Sequence, residues 1–439
     1  MGFIGLFQDL IQLMMQQVEI VDKARELLFT WDGLKWQSAI GIVIVVAAAV
    51  AVWMRNRDQV RDRFEQLAPV QQKGARLVGI VLALLLILVV FPLVAGNFIG
   101  QVMLFISLFI LMGMGLNLEI GLAGLLDLGF VAFFAVGAYT TALLTADSPY
   151  ALAQNPLFVN WVGPEVASWF HMSFWEALPI AVLMALLIGV LFGVPVLRIR
   201  GDYLAVATLG LGEIVRVLVL SDFAAPVLAG AQGVLNIPRP SIGELQLDDP
   251  VDLYFVALGA SAVAGYFAWR LENSRLGRAW TAIRDDEDVA QALGINLVNV
   301  KLLAYGLGAA FAGVAGAIFA VMLTTIYPHS FQLLISINVL ALIIVGGMGS
   351  LPGVVVGALV LIGLPELLRE FGEYRFLFYG FAIVAVMRIR PSGLWPSVAR
   401  RREMQTDVET QATIEAELQP LGSDGGISAT APRSPHGES

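Results

Sequence analysis

Glu213 and Arg216 stand three residues apart inside the apolar run of residues 203–220. On one helix they are neighbours and can pair. A lone charge at the middle of a bilayer costs at least ~2.5–3.5 kcal/mol, so such residues face protein or a wetted path. Two readings fit: a polar patch beside a translocation pathway, or a structural ion pair near an interface. A second acidic couple, Glu119 and Asp127, brackets the turn GLAG at 121–124. Here the readings are a part in gating and a pair of interfacial helix caps. A third group is the run Asp285, Asp286, Glu287 and Asp288, preceded by Arg278 and Arg284. Enzyme chemistry finds little else to use. The absence of cysteine removes thiolate nucleophiles, thiolate metal sites and disulfides. His171, His329 and His436 are far apart and lack HExxH spacing, which argues against a metal site. No Gly-Lys dipeptide exists, so IVGGMGS at 344–350 is not a P-loop despite Gly346, Gly347 and Gly349. It reads as a break between two helices. If the break reaches into a membrane, its backbone must be buried in protein or line a wetted cavity.

The elements that carry these residues are set by composition. Hydrophobic residues make up 58% of the chain and charged residues 14%, where soluble domains carry about a quarter charged residues. Apolar runs near the ~20 residues of a membrane-crossing helix recur, and 44 glycines suit close helix packing in lipid. The fold class is all-α, a polytopic transmembrane helical bundle of about 11 spans. They lie at 39–54, 77–94, 98–118, 125–145, 175–197, 203–220, 252–270, 302–323, 333–346, 354–368 and 376–388. The start is not a secretory signal. Phe3, Phe7, Leu10, Met14 and Val18 instead suggest an amphipathic helix, interfacial or peripherally packed. Residues 1–76 thus comprise this segment, an extra span and a basic linker; 77–400 form the main transmembrane domain; 403–439 read as a disordered polar tail. Basic residues concentrate in segments 55–76, 198–202, 270–301 and 388–402, which hold eighteen Lys/Arg, against six in the remaining loops. That bias puts the N-terminus outside and the C-terminus inside the cell. Arg198, Arg200 and Asp202 then form a basic inner anchor, with Gly201 allowing the bend.

The same bias makes residues 273–301 a cytoplasmic loop. Two short amphipathic helices are expected in it, at 276–283 and 289–293, with the acids between them and Gly294 as a stop. Ala279, Trp280, Ile283, Val289, Ala292 and Leu293 can form an apolar face that docks in a groove of a soluble protein. The alternative is a solvated loop.

Asp288-Val-Ala-x-x-x-Gly294 partly resembles the E-A-A-x-x-x-G loop of importer permeases of the ATP-binding cassette class, with Asp288 in place of Glu. The wider run RLGRAWTAIRDDEDVAQALGI at 275–295 resembles the branched-chain amino acid permeases of the LivM type. Residues 115–139, 195–220, 344–350 and 388–396 resemble further signatures of that family, in its order. The resemblance implies a coupling loop that includes Leu276, Gly277, Arg278, Ile283, Arg284, Asp285, Asp288, Ala290 and Gly294. It leaves Asn117, Gly121, Gly124, Asp127, Glu213, Arg216, Gly346, Gly347 and Gly349 as pathway or structural residues. It further implies a homologous second permease, two cytoplasmic ATPases that hydrolyse the ATP, an extracytoplasmic substrate-binding protein, and a bacterial or archaeal inner membrane. No cofactor and no nucleic acid are expected on this chain. The family segment T-G-G-P-N-G appears here as LAGAQG at 228–233, so other amino acids or urea stay open as substrates. The competing classes are an ion-coupled secondary transporter, which favours acids deep in the membrane, and a membrane-embedded enzyme, for which no nucleophile or metal motif is found.

Overall fold

The computed structural model describes residues 96–396, except 198, 200, 201, 244, 370–373, 391 and 392, together with 29, 30, 33, 34, 88, 89 and 92. The amphipathic start, the expected span at 39–54, nearly all of that at 77–94 and the polar tail lie outside these residues.

The described chain is mostly helical. In order it runs α1 (Asn97–Leu116, prolonged by a π turn over Asn117–Leu122), α2 (Val131–Thr145), α3 (Pro156–Val162), α4 (Pro164–Ser168), α5 (Phe174–Val196) and α6 (Asp202–Leu220). There follow α7 (Ala225–Leu228), α8 (Pro250–Glu272), α9 (Arg275–Asp285), α10 (Glu287–Ala292), α11 (Leu297–Leu323) and α12 (Leu333–Gly346). The described chain closes with α13 (Leu351–Ala358), α14 (Leu364–Leu367) and α15 (Tyr374–Ile389). Among the described residues, strands are confined to two antiparallel two-residue ladders, Phe29–Thr30 with Gly33–Leu34 and Ser241–Ile242 with Leu245–Gln246. Among the described residues, 6 helices are long and apolar enough to cross a membrane. The expected spans at 125–145, 354–368 and 376–388 appear as shorter apolar helices. The first of them starts late because residues 123–130 leave the helix, with Gly124 at φ +71°.

Helix α11 is the axis of the bundle. Its stretch AYGLGAAFAGVAGA at 304–317 presents small residues on every side, which lets neighbouring backbones approach. A Cβ on Gly137 of α2 would stand 2.3 Å from the Gly313 carbonyl oxygen, and one on Gly316 would stand 2.0 Å from that of Phe134. On the side of α5, a Cβ on Gly189 would come 2.5 Å from the Ala309 side chain. α1 closes on α11 at Gly115 and Gly308, and itself holds α13 at Gly113 and α8 at Gly100. The Ser261 hydroxyl of α8 donates to the Ser107 carbonyl of α1 at 3.2 Å. α6 is peripheral, with Tyr203, Val206, Ile214 and Val217 exposed along one side.

The connections at one end of the bundle are knitted together. Asp147 N–H donates to the Asn236 carbonyl, Ile237 N–H to that of Thr324, and Val234 exchanges hydrogen bonds with Ile326. Trp175 Nε1 donates to the Ser241 carbonyl at 2.8 Å. The segment at 228–233 belongs to this cap, where a Cβ on Gly233 would fall 2.1 Å from the Ile326 carbonyl oxygen.

Replacing Gly137 with leucine forces α2 away from α11. Overpacking of a dense core costs about 1–3 kcal/mol or more. The expected outcome is a lowered thermal midpoint in detergent, or no folded protein; an unchanged midpoint would contradict the close crossing.

Candidate functional site: a docked helix pair on a glycine seam

The polar run between α8 and α11 folds into two capped helices. Ser274 accepts from the N–H groups of Leu276 and Gly277 at the head of α9. Asp286 accepts from Asp288 and Val289 at the head of α10. Each side chain answers orphan donors of a first helical turn. The acids therefore do not form a linker between the helices. Asp285 ends α9, Asp286 caps α10, and Glu287 and Asp288 open it, where the helix dipole favours negative charge. The cap is Asp286 and not Asp288. Gly294 follows α10 at φ +87°, a conformation that a side chain would strain.

The expected single apolar face is divided in two. Gly277, Trp280, Ile283 and Ala290 are buried against the protein's own bundle, and Leu276 packs beside them. Val289 (55% exposed) and Leu293 (75% exposed) point away, with Ala292, Gly294 and Arg278 also in the open. Three polar contacts root the pair. Trp280 Nε1 donates to the Val300 carbonyl of α11 at 2.8 Å. Lys301, only 5% exposed at the head of α11, donates to Glu287 of α10. Arg284 Nη1 donates to the Gly121 carbonyl at 2.8 Å, and the guanidinium also pairs with Asp285.

Gly121 belongs to a seam where two helix breaks meet. Gly349 N–H donates to Asn117 Oδ1 at 2.8 Å. A Cβ on Gly121 would lie 2.6 Å from the Gly349 nitrogen. On the second break, the Val345 and Gly346 carbonyls accept from Leu394 and Trp395, at 2.8 Å each. A Cβ on Gly347 would come 2.7 Å from the Trp395 carbonyl oxygen. Gly124 lies against the Arg284 side chain. The seam thus gathers Asn117, Gly121, Gly124, Arg284, Gly346, Gly347 and Gly349; Gly121, Gly346, Gly347 and Gly349 are buried in protein, and Gly124 lies exposed at its edge.

Glu119 and Asp127 depart from the interfacial caps expected of them. They are 0% and 1% exposed. Glu119 lies against Gly308, roughly 16 Å along α11 from Leu297 at 1.5 Å per residue. Both Glu119 oxygens, Asp127 Oδ2 and the Tyr305 hydroxyl lack hydrogen-bond partners among the described residues. The physical reason is local: the π turn carries Glu119 inward, where Gly308 leaves room for it. Asp127 Oδ1 accepts from Gly129 N–H at 2.7 Å, and Leu128 N–H donates to Thr208 of α6 at 3.0 Å. The loop after the π turn is thereby tied to α6.

Glu213 and Arg216 are not part of the seam. They pair on α6, where Arg216 Nε and Nη2 both reach Glu213 Oε2 at 2.8 Å. Of the basic anchor at 198–202, Arg198, Arg200 and Gly201 lie outside the described residues. Sequence reasoning missed Lys301, Thr208 and the Trp280 indole as polar partners. Lys301 carried a signal, as a lone cation heading an apolar run.

Membrane-length helices closed around α11, with an amphipathic helix pair rooted on a break in the bundle, define a multi-pass membrane protein of the transport-permease class. The family model for the permease component of branched-chain amino acid transport systems matches residues 98–387. The chain belongs to that family. It is 36% identical over 374 residues to the high-affinity branched-chain amino acid transport system permease protein LivM of Escherichia coli K12, covering 76% of this chain and 82% of that protein. Identity to the protein of the same name in Salmonella typhimurium is 37% over 338 residues, covering 72% and 74%. A shorter likeness, 32% over 127 residues, reaches the permease protein LivH of Escherichia coli K12, covering 28% of this chain and 41% of that one. No solved structure matches the chain.

Two substitutions test the site. Lys301→Met keeps the aliphatic stem and removes the donor to Glu287. A hydrogen bond to a charged group contributes about 1.5–3 kcal/mol, so amide hydrogen exchange in α9 and α10 should speed up while α11 stays protected; equal protection would show that the pair roots nothing. Glu119→Gln conserves volume and supplies an amide donor toward Asp127. Its thermal midpoint should match or exceed the parent's, whereas Glu119→Ala, which opens a cavity against Gly308, should lower it. A fall with glutamine would show that the carboxyl itself is required.

Proposed function

We propose that this chain is the membrane permease subunit of an ATP-driven importer for branched-chain amino acids, working by alternating access. The observation that carries the reading is the α9–α10 pair. Its root is buried and hydrogen-bonded to α11 and the seam, and its tip exposes Val289 and Leu293. Such a tip suits a groove on a soluble partner, and the root hands its motion to the bundle. The partners in this reading are two cytoplasmic ATPases at the tip, a homologous second permease, and an extracytoplasmic binding protein at the knitted cap. The family supports the substrate class, and the likeness to LivH supports a second permease.

The chain then crosses a bacterial or archaeal inner membrane about 11 times, N-terminus outside and C-terminus inside, as its loop charges suggest. ATP is bound and hydrolysed by the partners and not by this chain, and no cofactor takes part. Related importers of other amino acids or urea share the architecture, and the segment at 228–233 keeps them in view. One observation favours a second reading: Glu119 and Asp127 lie deep in the bundle, as the acids of an ion-coupled carrier would.

The test is uptake of labelled leucine into proteoliposomes carrying the full complex. Uptake should require ATP, and an ion gradient without ATP should drive none; the reverse result would establish the ion-coupled reading. Val289→Asp with Leu293→Asp should separate the ATPases from the permeases on purification, since burying each side chain contributes about 1.5–3 kcal/mol. Normal copurification and uptake would remove α10 from the interface.

A further inference from the structure

We infer that Glu213 and Arg216 of α6, with the Tyr139 hydroxyl of α2, form a recognition site for the charged groups of an aliphatic α-amino acid in transit. The inference rests on the transport reading and adds to it a place in the bundle where the amino acid is held.

The first ground is depth. Glu213 lies about 16 Å along α6 from Asp202 and about 10 Å short of Leu220, at 1.5 Å per residue. A charge pair in the body of a membrane-length helix must be covered by protein or water. Here it is neither shut in nor fully used. Arg216 spends both Nε and Nη2 on one oxygen, Oε2, of Glu213. Oε1 and Nη1 have no partner among the described residues, and the side chains stay 39% (Glu213) and 30% (Arg216) exposed. The Lys301–Glu287 pair differs on its cationic side, with Lys301 closed off at 6% side-chain exposure and Glu287 at 34%.

The second ground is Tyr139. Its residue is 5% exposed and its hydroxyl has no hydrogen-bond partner among the described residues. Leaving a buried hydroxyl unanswered costs about 1–3 kcal/mol. With Arg216 it lines a void of about 10 Å³ between α2 and α6, whose other walls include Val131, Ala135, Val219 and Phe331; Glu213 is not one of its walls and borders it through the pairing with Arg216.

These groups match one ligand chemistry. Arg216 and the Tyr139 hydroxyl donate to a carboxylate, the free oxygen of Glu213 accepts from an ammonium, and the apolar wall takes an aliphatic side chain. The site carries no net charge, and neither does the zwitterion. At its present volume the void has room for a water at most, so the described form is the closed one. The amino acid enters when α6 parts from α2. One side of α6 carries exposed residues, and Thr208 links the helix to the loop that leads back to Gly121 and Arg284.

The test uses the complete transporter in proteoliposomes, with its binding protein and labelled leucine, and reads leucine moved per ATP hydrolysed. The double variant Glu213→Arg with Arg216→Glu keeps an ion pair but reverses its direction. The ratio should fall about tenfold or more, the worth of one charge-assisted hydrogen bond. Tyr139→Phe, which removes only the hydroxyl, should lower it about fivefold, the worth of one hydrogen bond. A charge-reversed transporter as good as the parent makes the pair structural and overturns the site. If the reversed protein does not assemble, Tyr139→Phe decides, and an unchanged ratio overturns the site. Parent complex that moves no amino acid on ATP refutes the transport reading itself, a result separate from either variant's.

Discussion

Backbone that leaves the helix inside an apolar bundle must have its polar groups answered by protein. This structure leaves the helix twice, after Leu122 and after Gly346, and brings the two breaks together. Asn117 takes the amide of Gly349, Arg284 reaches the carbonyl of Gly121, and Leu394 and Trp395 cover the carbonyls of Val345 and Gly346. Only glycine allows so close an approach at Gly121 and Gly347. Four distant parts of the chain are held by a handful of hydrogen bonds, and the helices on either side take their directions from them.

The position of the α9–α10 pair follows from this. An amphipathic pair tied only to its flanking helices would move independently of the bundle. Here Trp280 and Lys301 fix it to the axial helix, and Arg284 fixes it to the seam. From the seam the loop at 123–130 runs to Thr208 at the base of α6. A contiguous set of contacts therefore joins the surface tip to the helix that carries the Glu213–Arg216 pair. The small residues of α11 serve the same end. They let α1, α2 and α5 approach α11 closely, while α6 packs on one side only.

Much of this was legible in the residues. Long apolar runs announce helices because the hydrocarbon core fixes their length. The polar run announces two short helices with Gly294 as a stop, because a left-handed C-terminus selects glycine; that Ser274 and Asp286 cap them, and that the acids end one helix and open the next, only the structure showed. The pairing of Glu213 with Arg216 follows from helical periodicity alone. The burial of Glu119 and Asp127 was not legible. Hydropathy around a Gly-rich turn is the same for a turn at the bundle's surface and for one folded back into its core.

The sequence by itself determined the class of protein, its long helices, the two short helices in its polar loop and its family, because all of these are written in local composition, spacing and motif. The tertiary structure alone decided which groups meet across the chain: Asn117 with Gly349, Arg284 with Gly121, Lys301 with Glu287, and Glu119 with the gap at Gly308. It also decided which side of each amphipathic helix faces inward. Those choices depend on how closely helices far apart in sequence can approach. That approach is set jointly by small residues on both partners and by the need to satisfy buried polar groups, and neither partner's sequence holds it alone.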